Sequence, residues 1–218
     1  MDTLTKEPNE ELVMEISKLL LKNGMKATTM DSVASALTMS KRTLYEIFDS
    51  KKDMILRAVK YWQQQRFKKV EEIFKSSKTV MEALARTFAY HKSMMNNINV
   101  EFLFDMDDYA PEVRTLFTRH SHQWVDKMMY AINLGIEQGV FRTDVNYPIV
   151  LRLMRIQMES LKKMEDSFPK DITIMDAFDS IVISFLRSIG TQEGMDIIDN
   201  FYLNNQEYSN SFITETNS

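Results

Sequence analysis

Cysteine is absent from the 218 residues, and glycine and proline are scarce, at five and four. Without a thiol there is no disulfide framework and no thiolate metal site, a composition suited to a reducing cytoplasm. So few chain breakers leave little room for the many tight turns of a β-sandwich or barrel, and a mostly helical protein is expected. No uninterrupted apolar run is long enough to cross a bilayer, and the leading MDTLTKEPNEE is acidic and polar, unlike a signal peptide. The expectation is a soluble, cytoplasmic protein with no membrane partner. Enzyme signatures are missing too. No G-x-S-x-G, phosphate loop, H-E-x-x-H or dinucleotide fingerprint occurs, so neither a catalytic residue nor a cofactor is expected.

Metal ligands are equally sparse. His120 and His122 stand two residues apart, which on a helix turns them about 200° from each other. Asp105, Asp107 and Asp108 share the composition of a calcium loop but lack its glycine and distal glutamate. No metal site is expected. The 17 methionines are either helical core filler, the plainer reading for most of them, or the lining of an adaptable apolar pocket.

What is present is helical periodicity. Leu12, Ile16, Leu19 and Leu20 mark one face of a first helix, which Gly24 can close. Thr28 or Thr29 can cap a second, patterned by Met30, Val33, Ala34 and Leu37. Thr38-Met39 separates it from a short third helix that Ser40 caps and that ends near Phe48. A long helix then runs from about Ser50 to Phe74, with Ile55, Val59, Trp62, Val70 and Ile73 inward. Further on, Val80 to Met95 forms a fifth helix. Pro111 opens a long one that Gly139 closes, and Pro148 opens another. A last strong pattern runs from Ile174 to Ile189. The tail after Asn204, rich in Asn, Ser and Thr, reads as poorly ordered.

The net charge of −4 weighs against nucleic-acid binding, but its distribution does not. Between Thr38 and Lys60 six basic residues face three acidic ones, a local +3 that leaves −7 for the rest. In the same region two short helices meet at a tight turn. Ala34 and Ala36 permit close approach, while Val33, Leu37, Leu44 and Phe48 fill the wedge. The second helix then projects its leading residues into solvent, at a size that suits a major groove roughly 12 Å wide. On it Lys41 and Arg42 can reach guanine edges or phosphates, and Thr43 and Tyr45 can bond phosphate oxygens. Lys51, at the start of the next helix, can meet phosphate as well.

The stretch TTMDSVASALTMSKRTLYEIFDSKKDMI resembles the DNA-binding domain of the TetR family in Thr28-Thr29, Val33-Ala34, Met39-Ser40, Thr43-Leu44-Tyr45, Phe48, Ser50-Lys51 and Asp53. The likeness covers about residues 9 to 60. Gly135 to Phe141 resembles, more weakly, the end of the family's seventh helix. The resemblance implies an all-α fold. An N-terminal three-helix helix-turn-helix domain (residues 1–50) would join a larger effector-binding and dimerisation domain (51–204), followed by the tail (205–218). It places Thr28, Thr29, Ser40, Lys41, Arg42, Thr43, Tyr45 and Lys51 at double-stranded DNA, with two subunits on a pseudo-palindromic operator. By the same resemblance Phe88, His91, Phe102, Phe104, Phe117, His120 and Trp124 line an effector cavity. Helices near 147–166 and 173–190 then form a homodimer interface that includes Leu153, Gln157, Phe178, Ile181 and Phe185. The implied activity is a repressor released by a small, largely apolar effector.

Two positions depart from the family pattern. Glycine is usual where this chain has Thr38, so either the turn takes another geometry or a β-branched residue is strained there. Glu46 stands where aromatic residues or histidine are common; near phosphate it is repelled, yet a carboxylate can accept from cytosine N4. The rival readings are a helical interaction protein and a DNA binder without an effector, both on the same fold.

Overall fold

The computed structural model describes residues 9–99, 101, 102, 105, 111–161, 169 and 172–204, with side chains throughout except at 114, 116–126, 203 and 204. The protein is all-α. Among the described residues the helices are α1 (Glu10–Asn23), α2 (Met30–Ala36), α3 (Lys41–Ile47), α4 (Lys51–Ser76), α5 (Val80–Met95), α6 (Pro111–Glu137), α7 (Tyr147–Leu161), α8 (Ile174–Ile189) and α9 (Gln192–Asn204). The one β feature among them is an isolated antiparallel bridge between Phe141 and Gly190. The chain packs as two units, one drawn from residues up to 69 together with 94–122, the other from 70–93 together with those from 123 onward.

In the first unit local signals set the helix ends. The Asn9 side chain accepts the N–H of Glu11 and opens α1, whose Val13, Ile16 and Leu20 are buried along one face. Gly24 stops it with φ 82° and ψ 162°, a region that only glycine visits at low cost. Thr29, not Thr28, caps α2, in a reciprocal capping box with Ser32. At the other end of α2, Thr38 N–H donates to Ser35 O at 3.3 Å and Met39 N–H to Ala34 O at 2.9 Å. Those are the two bonds of a Schellman motif. It requires a left-handed residue, and Thr38 supplies it at φ 53°. Of the two geometries open at this turn, the strained one is present.

Ser40 then caps α3 by accepting the N–H of Thr43 at 3.0 Å. Leu44 and Phe48, both 0% exposed, drive the α2–α3 wedge into a core with Ile16, Leu20, Val33, Ile55, Val59 and Trp62. Truncating either to alanine costs about 2–5 kcal/mol, the usual range for large core side chains. The core also takes in Phe102 and Val113, from far along the chain.

In the second unit the end of α6 repeats the Schellman pattern. Gly139 N–H donates to Ile136 O at 3.0 Å and Val140 N–H to Gly135 O at 3.0 Å, with Gly139 at φ 74°. Thr191 ties this turn down through a 2.7 Å bond from its hydroxyl to Gly139 O. A Thr173–Asp176 capping box opens α8, which buries Phe178, Val182, Phe185, Leu186 and Ile189. Lys92 of α5 and Asp179 of α8 form an ion pair inside this unit, their side chains 12% and 10% exposed.

Candidate nucleic-acid interface

With Leu44 anchored at 0% exposure, the opposite side of α3 must face solvent. There the Arg42 side chain is 89% exposed and that of Glu46 61%, and Arg42 Nε donates to Glu46 Oε1 at 3.0 Å. Tyr45 is 51% exposed, too much for a core aromatic. Lys41, at the first turn of α3, donates to both carboxylate oxygens of Asp31 on α2, at 2.8 and 2.9 Å. That hydrogen bond, then the carboxylate's charge, raises the Lys41 ammonium above its ordinary pKa, so it remains a cation through the neutral range. The Ser40 and Thr43 hydroxyls lie 2.8 Å apart and leave an exchangeable donor at the same end of the helix. Hydroxyls, an ammonium, a guanidinium and a phenol along one short rod are the groups that bond phosphate oxygens and base edges.

Two of the expected contacts are placed differently. Thr28 is 1% exposed, and its hydroxyl donates to Gly24 O at 2.7 Å. It braces the α1–α2 loop from within and has no surface to offer DNA, whereas the neighbouring Thr29 is exposed. Lys51 turns its ammonium onto the Lys26 carbonyl at 2.8 Å. Burial lowers its pKa, and the charge of Asp105 works against that shift. A phosphate would have to compete with that carbonyl.

No pattern along the chain points to what holds the α1–α2 loop. Asn99 donates its backbone N–H to Leu21 O at 2.8 Å and its side-chain amide to Lys22 O at 3.0 Å, satisfying carbonyls that the end of α1 leaves free. Asp105, 3% exposed, accepts the backbone N–H of Lys26. Between them Phe102 meets Trp62 edge-on, ring centroids 5.4 Å apart. An Asn, a Phe and an Asp some 80 positions beyond the loop carry no local signal of such a role.

The expected effector-lining residues divide. Phe102, 1% exposed, is packed in the core of the first unit, edge-on to Trp62. Phe88 lies edge-on to Phe185 at 6.3 Å and borders a cavity of about 10 Å³, shared with Ala89, Lys92, Phe178, Asp179, Val182 and Tyr202. His91 is half-buried, its ring 5.7 Å from that of Tyr90. Phe104 and the side chains of Phe117, His120 and Trp124 lie outside the described residues.

The expected interface residues divide as well. Leu153 is 55% exposed on α7, and Gln157 is exposed beside it. Phe178 and Phe185, at 7% and 4%, are core residues of their own unit, so their rings are not free to meet another subunit. Ile181 is half-buried. In their place α7 exposes Ile149 at 54% and Ile156 at 48%, which with Leu153 form an i, i+4, i+7 stripe.

A fully buried leucine and phenylalanine beneath an exposed cationic rod, set at a tight turn from its partner helix, define a helix-turn-helix regulator that binds DNA. A sequence model of bacterial regulatory proteins of the tetR family matches residues 15–58. The transcriptional repressor KstR2 of Rhodococcus jostii is 27% identical over 150 residues, 66% of this chain and 73% of that protein. Residues 15–58 thus match the DNA-binding part of TetR-family regulators, and about two thirds of the chain is similar to a transcriptional repressor. Solved structures agree in fold. A transcriptional regulator from Saccharomonospora viridis in complex with choline gives a TM-score of 0.68 at 17% identity, covering 84% of this chain and 98% of that one. The ketosteroid transcriptional regulator KstR2 of Mycobacterium tuberculosis gives 0.52 at 20% identity, covering 88% and 100%.

Proposed function

We propose that two copies of this chain repress transcription from a pseudo-palindromic operator and leave it when a small, largely apolar effector binds. The observation that carries the reading is α3, pinned by Leu44 and presenting Lys41, Arg42 and Tyr45 outward. One such module reads too few base pairs to find its site, whereas two half-sites add their free energies, and a twofold dimer calls for a palindrome. The reader is the segment up to about residue 50, with Thr29, Ser40, Lys41, Arg42, Thr43 and Tyr45 as its DNA contacts, and Lys51 joins them by exchanging the Lys26 carbonyl for a phosphate. The remainder to 204 binds the effector and the second subunit. Leu153 and Gln157, joined by Ile149 and Ile156, form the dimer face.

The repressor named KstR2 and the regulator crystallised with choline support repression and a small effector. For this chain Phe88 and His91 remain candidate lining residues, together with Phe104, Phe117, His120 and Trp124. Coupling between effector and operator of about 1–3 kcal/mol would lower DNA affinity 5–150-fold. The place of action is the cytoplasm; among the described residues no helix is long and apolar enough to cross a membrane.

Genomic fragments selected by the purified protein should share a palindromic site. Replacing Lys41 and Arg42 together with alanine should abolish retardation of that site while the helical circular dichroism is kept. Undiminished retardation by the double variant would overturn the assignment.

A further inference from the structure

The crest of α3 is not simply cationic. At about 100° per residue, Arg42 and Glu46 each stand about 200° from Leu44, within roughly 20° of the pole opposite the core. The two side chains that would lead α3 into a groove are therefore an arginine and a glutamate, and they are bonded to each other. Lys41 and Tyr45 lie on one flank at about 60° and 100° from Leu44, and Thr43 on the other. A bare carboxylate at this pole would be repelled by the phosphates lining the groove. Its place there is accounted for if it meets a donor on the bases.

The bonding pattern says which donor. Arg42 spends Nε on Glu46 Oε1, and its end-on pair of Nη groups remains a fork of donors. Glu46 keeps Oε2 as an acceptor beside that fork. Across its major-groove edge a G·C pair offers two acceptors, guanine N7 and O6, and then one donor, the cytosine N4 amino group. The side-chain pair holds the complementary set, two donors on Arg42 and one acceptor on Glu46. An A·T pair offers acceptor, donor, acceptor, and would set Glu46 against thymine O4.

We infer that Arg42 and Glu46 act as one unit that reads a G·C base pair in each half-site, Arg42 on guanine O6 and N7 and Glu46 on cytosine N4. This rests on the reading of α3 as the DNA-contacting helix. Glu46 is then both a direct reader and the positioning residue for Arg42. Lys41, held by Asp31, serves the backbone.

The test is selection of duplexes from a random-sequence pool by the full-length protein and by its E46A, E46Q and R42K variants, followed by sequencing of the bound fraction. The wild type should enrich palindromes with one G·C column dominant in each half. E46A should still retard that DNA but lose preference at the column by about 5- to 150-fold, the range for one base pair's specific contacts, because it removes the cytosine acceptor and the group that holds Arg42 on guanine. E46Q should move the column toward adenine, whose N6 and N7 suit an amide. R42K, which keeps the charge but not the fork, should flatten the column as E46A does. If the wild type enriches palindromes and E46A and E46Q enrich the same ones with the same base frequencies, the inference is overturned and the DNA-binding reading stands. If the wild type enriches nothing, both fall.

Discussion

The carboxylate of Asp105, its side chain 4% exposed, accepts the backbone N–H of Lys26 at 2.9 Å and lies 3.4 Å from the same residue's ammonium. The loop it grips joins α1 to α2, and the carbonyl of Lys26 in turn receives Lys51. One buried acid thus fixes the backbone from which the helix-turn-helix starts. Gly24 leaves it room, since a Cβ there would stand 3.1 Å from Asp105 Oδ2. Asp105→Ala strands the Lys26 N–H and should destabilise the protein by about 1.5–3 kcal/mol, the cost of losing a charge-assisted bond to a part-buried donor. Asp105→Asn, which keeps an acceptor oxygen, should recover about half of that. Urea unfolding of the wild type and the two variants checks the order; equal midpoints would show that the contact bears no weight.

Thr38 and Gly139 occupy the same place in the same motif, at φ 53° and 74°. One is β-branched and the other is the residue the conformation favours. A left-handed non-glycine residue costs about 1–2 kcal/mol, and glycine returns about 0.5–1 of that as unfolded-state entropy. Thr38→Gly should therefore stabilise the protein by about 0.5–1 kcal/mol. Gly139→Thr should destabilise it by a similar amount, because the nearest atom to a Cβ there, at 4.0 Å, adds no clash. Thermal unfolding should move in opposite directions for the two variants. A Thr38→Gly protein that melts earlier than wild type would mean that Thr38 makes a compensating contact.

These two turns show what a sequence discloses. Caps and turns depend on a few adjacent residues, so Gly24, Ser40, Pro111 and Gly139 could be placed by reading along the chain. The α2–α3 wedge was legible for the same reason, with Met30, Val33 and Leu37 spaced along one side of α2 to its C-cap and Leu44 and Phe48 four apart on α3 and its C-cap. Asn99, Phe102 and Asp105 were not, because their partners lie some 40 to 80 residues away and nothing local distinguishes an aspartate under a loop from one in solvent. The same holds for the contact of Phe102 with Trp62, forty positions apart, which no local pattern announces. In α8 the difficulty was different. Apolar residues surround much of that helix, so periodicity alone could not tell the stripe that meets its own subunit from one that would meet another. Exposure decides it, and turns Phe178 and Phe185 inward.

Lys92 and Asp179 are charged residues in a setting that would suit leucine. Asp176 lies near enough for its carboxyl, held below its usual pKa first by the Thr173 hydroxyl and backbone N–H, to feel Lys92 as well. Lys92→Met would leave a buried carboxylate without its cation, at a cost of about 3–5 kcal/mol. Adding Asp179→Leu removes the stranded charge, and the double variant should return to within about 1 kcal/mol of wild type, as replacements of buried pairs by apolar residues often do. A double-mutant cycle by urea unfolding measures the coupling. Additive effects of the two changes would show that the pair is not an energetic unit.

The exposed stripe of Ile149, Leu153 and Ile156 and the buried Phe185 separate assembly from folding. In the proposed dimer a charge at Leu153 enters a surface that the second subunit covers, so Leu153→Glu should give a folded monomer. Its helical signal should match wild type, while its sedimentation coefficient falls and its affinity for a palindromic site drops toward that for a half-site. A charge at Phe185 enters the core of one subunit and should cost several kcal/mol of stability whatever the oligomeric state. Sedimentation velocity alongside thermal unfolding distinguishes the two. A Leu153→Glu protein that sediments as wild type would place the twofold contact on a different face, and a Phe185→Glu protein that stays folded but dissociates would return α8 to the interface.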